Sequence, residues 1–292
     1  MIDQFLSYLR YERNRSELTV SRYRDSLTDF RNYFEKLEGG QTWASVDADI
    51  IRGWMESLVD RGNMASTVNT GLSAVRSFYR FALARGMVER DPAHLVKGPK
   101  KRKPLPQFVK ESEMNELLDQ IEWGAQYKNV RARTIIILLY EAGLRRSELV
   151  GLNDRDVDFL SMQLKVTGKR NKQRIVPFGE ELAEQLKSYM DCRDESVERH
   201  SEALFLNKRG ERITAEEVYR IVRENLSKVT SQKKRSPHVL RHSFATAMLN
   251  HDAGLESVRQ LLGHESLETT EIYTHTTFEQ LKRVYKESHP RG

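Results

Sequence analysis

The residues best suited to chemistry stand in short motifs spread over the second half of this 292-residue chain. Arg145 stands in AGLRRSEL, Lys169 in TGKRNKQRIVP, His238 and Arg241 in SPHVLRH, His264 in LLGH and Tyr273 in EIYTH. These types suit attack on a phosphodiester. Negative charge builds on the non-bridging oxygens in the transition state, so preorganised cations aimed at them lower the barrier. Arginine's planar fork stays charged and pairs two oxygens at once, which makes Arg145 and Arg241 candidates for a clamp. A tyrosine is unreactive as the neutral phenol, with a free pKa of about 10, and needs a base or a cationic field. His238 or His264 could help, and a lysine amine could protonate a leaving alkoxide. Singly each residue is weak evidence, because a lone rim histidine is more often structural and a lone tyrosine is usually packing plus one hydrogen bond.

Rival chemistries fail on the same stretches. His238 and His242 form an HxxxH pair, but Val239 replaces the glutamate of a zinc protease motif. Asp154, Asp156 and Asp158 alternate as in a calcium loop, yet Phe159 stands where glycine is required and Lys165 where the closing glutamate belongs. These aspartates are better read as decorating the lead-in to a hairpin. No GxxxxGK[ST] loop is present. No metal site and no cofactor are expected.

The elements that must position the candidates follow from periodicity. Ser236-Pro237 starts a helix with a capping hydroxyl and proline in the first turn, and Leu240, Phe244, Ala247 and Met248 give it a core face. His238 and Arg241, three apart, project together at the rim of that core. A second helix buries Leu255, Val258, Leu261 and Leu262, and Gly263 is placed to end it in a left-handed cap, with His264 at its exit. Ser266 can cap a third, with Tyr273 near its end. Upstream, TIIILLYEAG reads as a helix buried on most sides, and Gly143 permits the sharp turn that throws Arg145 out at the next junction. Met162, Leu164 and Val166 alternate into a hairpin that turns at Gly168-Lys169-Arg170-Asn171 and returns through Arg174 to Phe178. Leu204-Phe205-Leu206 could add a short strand, and Thr214 caps a helix with Val218, Ile221 and Val222 on its apolar face.

Residues 1–90 read as a helical domain of four helices, with core faces such as Ile2, Phe5, Leu6 and Leu9, and Tyr23, Leu27, Phe30 and Phe34. Nothing there resembles a catalytic constellation. Arg22 with Arg24, and Arg76 with Arg80, could meet phosphates, although solvated arginines are the commoner case. Residues 91–106 form a basic, proline-containing linker, and residues 107–292 a second domain with a tail at about 277–292. The net charge is +6, and residues flanking the linker nearly balance, so the excess lies in Lys97, Lys100, Lys101, Arg102 and Lys103. Such a run is either a solvated connector or a strap for a polyanion. The single cysteine, Cys192, excludes an internal disulfide. There is no membrane-spanning apolar run and no signal-peptide core, so a cytoplasmic protein without a membrane anchor is expected.

The motifs in this order and spacing resemble the tyrosine recombinases, in particular their Xer-like branch, over nearly the whole chain. The resemblance implies a mainly α fold with a small β-sheet in the second domain: a helical core-binding domain followed by an α+β catalytic domain. Arg145 and Lys169 resemble the family's first catalytic arginine and hairpin lysine. His238 and Arg241 resemble its HxxR pair, His264 the histidine of LLGH and Tyr273 the nucleophile. His242 and His275 beside them read as supporting residues. Arg170 departs from the usual GKGxKxR hairpin, Asn171 could supply the positive φ of the turn, and Lys172 competes with Lys169 as proton donor. The implied reaction cuts double-stranded DNA through a 3′-phosphotyrosine and rejoins it, without metal or ATP, by a homo- or hetero-tetramer on two DNA sites, in the latter case with a paralogous recombinase. Chromosome dimer resolution is the expected role, with DNA inversion or mobile-element integration as alternatives within the family. A type IB topoisomerase-like relaxase, a non-catalytic DNA-binding regulator and a metal-dependent nuclease remain outside it. The apolar stripe Phe278, Leu281, Val284 and Tyr285 fits either a neighbouring protomer or its own domain.

Overall fold

The computed structural model describes residues 1–100, 107–168, 171–263 and 278–291, with backbone alone at 278–280. It divides into two compact units, Met1–Pro104 and Leu105–Gly292. The chain is mainly helical with one small antiparallel sheet.

In the first unit α1 (Ile2–Ser7) runs on through a π-helical turn (Tyr8–Glu12), followed by α2 (Glu17–Phe34), α3 (Ala48–Asp60) and α4 (Ala65–Ala84). Ser16 accepts from the Thr19 amide at the start of α2, and Asp47 accepts from the amides of Asp49 and Ile50 at 2.9 Å at the start of α3. The apolar faces meet in an aromatic core containing Phe5, Phe30, Phe34, Trp54, Phe78 and Tyr79. Gly71 lets α4 approach α3, since a Cβ there would lie 2.8 Å from the Trp54 ring. Arg76 donates from Nε and Nη2 to the Ala93 and Val96 carbonyls. Asn69 likewise donates to the Pro99 carbonyl at 2.9 Å, and Ala93 and Val96 are buried. Prolines and glycines break the helical pattern after residue 90, but the extended chain still packs its apolar side chains on α4.

The second unit contains α5 (Glu111–Asn115), prolonged by a π-helical turn (Glu116–Gln120), then α6 (Tyr127–Glu141) and α7 (Arg146–Gly151). Next come β1 (Val157–Asp158), β2 (Gln163–Thr167) and β3 (Gln173–Pro177) in the order β1-β2-β3, with Thr167 opposite Gln173. The helices α8 (Glu180–Ser196), α9 (Ala215–Leu226), α10 (Pro237–Asn250), α11 (Leu255–Leu262) and α12 (Phe278–Ser288) complete it. α6 is buried from Ile135 to Tyr140, and its neighbours wrap around it. Asn171 has φ +61, the left-handed turn conformation expected of it.

Two local expectations are revised and one open alternative is decided. Leu204-Phe205-Leu206 makes only isolated bridges at its flanks, because the Leu204 carbonyl accepts from Tyr189 and Arg193 and the Leu206 carbonyl from Tyr127 and Arg131. Side chains have taken the ladder positions. The Ser236 hydroxyl makes no cap hydrogen bond, so Pro237 is left as the start signal of α10. Leu281, Val284 and Tyr285 of α12 pack on Phe244, Met248, Val258, Leu261 and Leu262 of the same unit, so the described part of the stripe is covered by its own chain. The aspartates before the hairpin have structural partners: Asp154 pairs with the fully buried Arg193 at 2.8 Å and with Arg199 at 2.7 Å, and Asp158 caps the Leu160 and Ser161 amides at 3.0 Å.

Candidate active site

Three of the sequence-derived candidates, Arg145, His238 and Arg241, lie in the described part of the second unit. Lys169, His264 and Tyr273 lie outside the described residues, as do Arg170 and His275. The geometry therefore concerns the arginine end of the site.

Arg145 is the residue before α7. Its amide donates to Glu148 Oε2 at 2.8 Å and its Nη1 to Glu148 Oε1 at 2.6 Å, so Arg-Arg-Ser-Glu closes on itself as a helix start. Gly143 makes this possible. Its φ is +56, and a Cβ would come 2.6 Å from the Phe244 ring, so the turn after α6 has room for no side chain against α10. Arg241 rises from α10 into the same place, donating from Nη1 to the Gly143 carbonyl at 2.6 Å and from Nη2 to the Leu262 carbonyl at 2.5 Å. It is buried rather than at the rim, because its stem runs down the α10 core face. His238, one turn earlier, is exposed.

Glu148 is the hub of this cluster. Its side chain is 1% exposed and accepts from Arg174 Nη1 and Nη2 at 2.8 and 2.9 Å in addition to Arg145, with Arg241 at 3.9 Å. Burial raises its carboxyl pKa, but hydrogen bonds and charge from Arg174 and Arg145 win, and the result is about 2 against an ordinary 4.5. Arg241 is pulled down to about 10, first by burial and then by Arg145. At neutral pH Arg241 and Glu148 are both charged. Although His238 stays exposed overall, partial desolvation of its imidazole and then the charges of Arg146 and Arg241 hold its pKa below the ordinary 6.5, which favours the neutral ring at pH 7.

Beside His238 opens a depression of about 350 Å³ lined by Arg146, Tyr219, Lys233, Lys234, Arg235, Ser236 and Pro237 as well as His238. It can receive an anion with an apolar or ring surface next to it. Among the described residues no group of three or more His, Cys, Asp or Glu side chains could hold a metal ion, and no described helix is long and apolar enough to cross a membrane.

Sequence reasoning missed Glu148, Arg174 and the basic rim. Glu148 had a visible signal, standing three residues after Arg145 at capping-box spacing. Arg174 had one as the arginine that closes the hairpin pattern GKGxKxR, but its partners, 26 and 87 residues away along the chain, had none. The rim residues are distributed over α7, α9 and the segment before α10, and only the fold gathers them.

Comparison with known proteins shows the family and the fold. Residues 107–280 match the phage integrase family model, and residues 2–86 match the phage integrase N-terminal SAM-like domain. Tyrosine recombinase XerC of Chlorobaculum tepidum is 38% identical, with 100% of this chain and 94% of that protein covered. Tyrosine recombinase XerD of Oceanobacillus iheyensis is 34% identical over 100% of this chain and 98% of its own length. The fold is shared with the XerH site-specific recombinase in a post-cleavage complex with its difH substrate, at a TM-score of 0.71 and 24% identity over 97% of this chain and 83% of that one. It is also shared with the Tn1549 transposon integrase, at a TM-score of 0.72 and 19% identity over 98% of each chain. The chain belongs to the phage integrase family, and within it to the Xer-like tyrosine recombinases.

Proposed function

We propose that this recombinase cuts and rejoins double-stranded DNA at a specific site, with Tyr273 as nucleophile and Arg145 and Arg241 as the clamp on the scissile phosphate. The tyrosine oxygen attacks phosphorus, the bond to the 5′-oxygen breaks, and a 3′-phosphotyrosine and a free 5′-hydroxyl result. Lys169 supplies the proton to the leaving oxygen, with Lys172 the alternative, and the phenol's proton passes to His238 or His264. A 5′-hydroxyl from a partner strand then reverses the chemistry. One ester replaces another, so bond energy is conserved.

The observation that carries this reading is the convergence of Arg145 and Arg241 on one buried carboxylate, Glu148, at 2.6 and 3.9 Å. The carboxylate neutralises part of the charge and fixes the guanidinium groups, and a phosphate arriving there meets donors that need no reorganisation. The groove of Arg146, Tyr219 and Lys233 to Arg235 supports a DNA backbone running past His238. The first unit acts as the core-binding domain, and Lys97 to Lys103 add salt-dependent affinity.

Relatives named XerC and XerD at similar identity favour an Xer role: resolution of chromosome dimers in the cytoplasm, by four protomers on two sites, with either identical or paralogous partners. The test is covalent trapping. Incubated with fragmented genomic DNA, the protein should yield an SDS-resistant adduct whose sequenced DNA converges on one site, and Tyr273→Phe should bind DNA yet give no adduct. An adduct with the phenylalanine variant would refute the nucleophile.

A further inference from the structure

Three successive carbonyls at the end of α11 each accept from a different guanidinium. Leu261 accepts from Arg174 Nε at 3.1 Å, Leu262 from Arg241 Nη2 at 2.5 Å and Gly263 from Arg145 Nη2 at 2.9 Å. These are carbonyls that the helix leaves without intrahelical partners, at its negative end. Two of the three arginines belong to the proposed clamp. The third, Arg174, lies on β3, and every nitrogen of its guanidinium already has a protein partner: Nε the Leu261 carbonyl, Nη1 and Nη2 the two oxygens of Glu148. Three of its five donors therefore hold this frame.

Its stem also fills the space beside the helix exit. A Cβ on Gly263, where φ is +61, would lie 3.0 Å from Arg174 Cδ and 3.4 Å from its guanidinium carbon. The left-handed turn and the Arg174 side chain thus fit one against the other. Glu148, gripped on both oxygens, cannot rotate to follow a moving Arg145, and the α11 exit cannot drift from Arg241.

We propose that Arg174 is a positioning residue for strand cleavage: it ties Glu148 and the α11 exit into one frame, from which Arg145 and Arg241 present their remaining donors to the phosphate. The proposal deepens the recombinase reading and rests on it. A planar fork is required, because lysine offers one point charge and cannot span both Glu148 oxygens and the Leu261 carbonyl. A clamp displaced by about 1 Å loses on the order of 10²-fold in rate.

The test uses the full chain and a nicked duplex carrying the site recovered from the covalent adduct of the unmutated protein. Arg174→Ala and Arg174→Lys are compared for dissociation constant and for the single-turnover rate of adduct formation at saturating DNA. Expected is an unchanged dissociation constant with a rate lowered roughly 10- to 10²-fold for alanine and an intermediate loss for lysine. The lysine variant keeps the buried charge compensated, so it reports even if the alanine variant does not fold. Combining Arg174→Ala with Glu148→Gln should slow the reaction little beyond the worse single variant, as residues acting as a unit do. A folded lysine variant with the unmutated rate, or a loss confined to DNA affinity, overturns the positioning role. Absence of any adduct from the unmutated protein overturns the recombinase reading, and the proposal with it.

Discussion

Replacing Glu148 by glutamine keeps the shape of the side chain and removes the charge on which three guanidinium groups rest. The carboxyl is held at about 2 against an ordinary 4.5, and its side chain is 1% exposed. At about 1.4 kcal/mol per unit the ionised form stabilises the fold by about 3.4 kcal/mol. Removing one partner of a buried pair independently costs about 3–5 kcal/mol, so the two routes agree. In a unit of this size the thermal midpoint should fall by about 7–14 °C at pH 7. The sign follows from the depressed pKa: the contribution is complete above the unfolded value and fades as pH drops through the folded one. About 1.4 kcal/mol should remain at pH 3, so the gap between the two proteins narrows on acidification. Calorimetry of both proteins, following the transition of the larger unit at each pH, measures this. A midpoint shift below about 2 °C at pH 7, or a gap that widens towards pH 3, would refute the assignment of Glu148 as counter-ion of the cluster.

Gly143→Ala should destabilise the second unit by about 2–4 kcal/mol, combining a left-handed backbone with a Cβ driven against Phe244; urea unfolding followed by circular dichroism checks it. Arg145→Ala and Arg241→Ala should each slow adduct formation by on the order of 10²-fold or more, and lysine at either position should rescue poorly, measured by single-turnover cleavage. Lys169→Ala should cleave ordinary DNA slowly but a 5′-thio substrate nearly normally, because that leaving group needs no proton. Arg145→Ala should stay slow on both substrates, and rescue of Lys172→Ala instead would move the general-acid role to Lys172.

The sequence by itself determined the elements and their chemistry. Helical and strand periodicities depend on residues close in the chain, so the buried α6, the hairpin with Asn171 at positive φ and the Gly263 cap were legible from local patterns. The motif order identified the family, because a shared fold carries the same residues in the same order along the chain whatever lies between them. What the tertiary structure alone decided was which charges are free. Arg76, inside α4, and Arg145, at the turn before α7, both donate to backbone carbonyls, but only Arg145 also joins a charged cluster around a buried carboxylate. Arg174 closes the hairpin motif, but its partners cannot be read until β3 is laid beside α7 and α11. Local sequence fixes the conformation of a segment, but pairing a charge is a long-range contact, and its partner is set by how the segments pack.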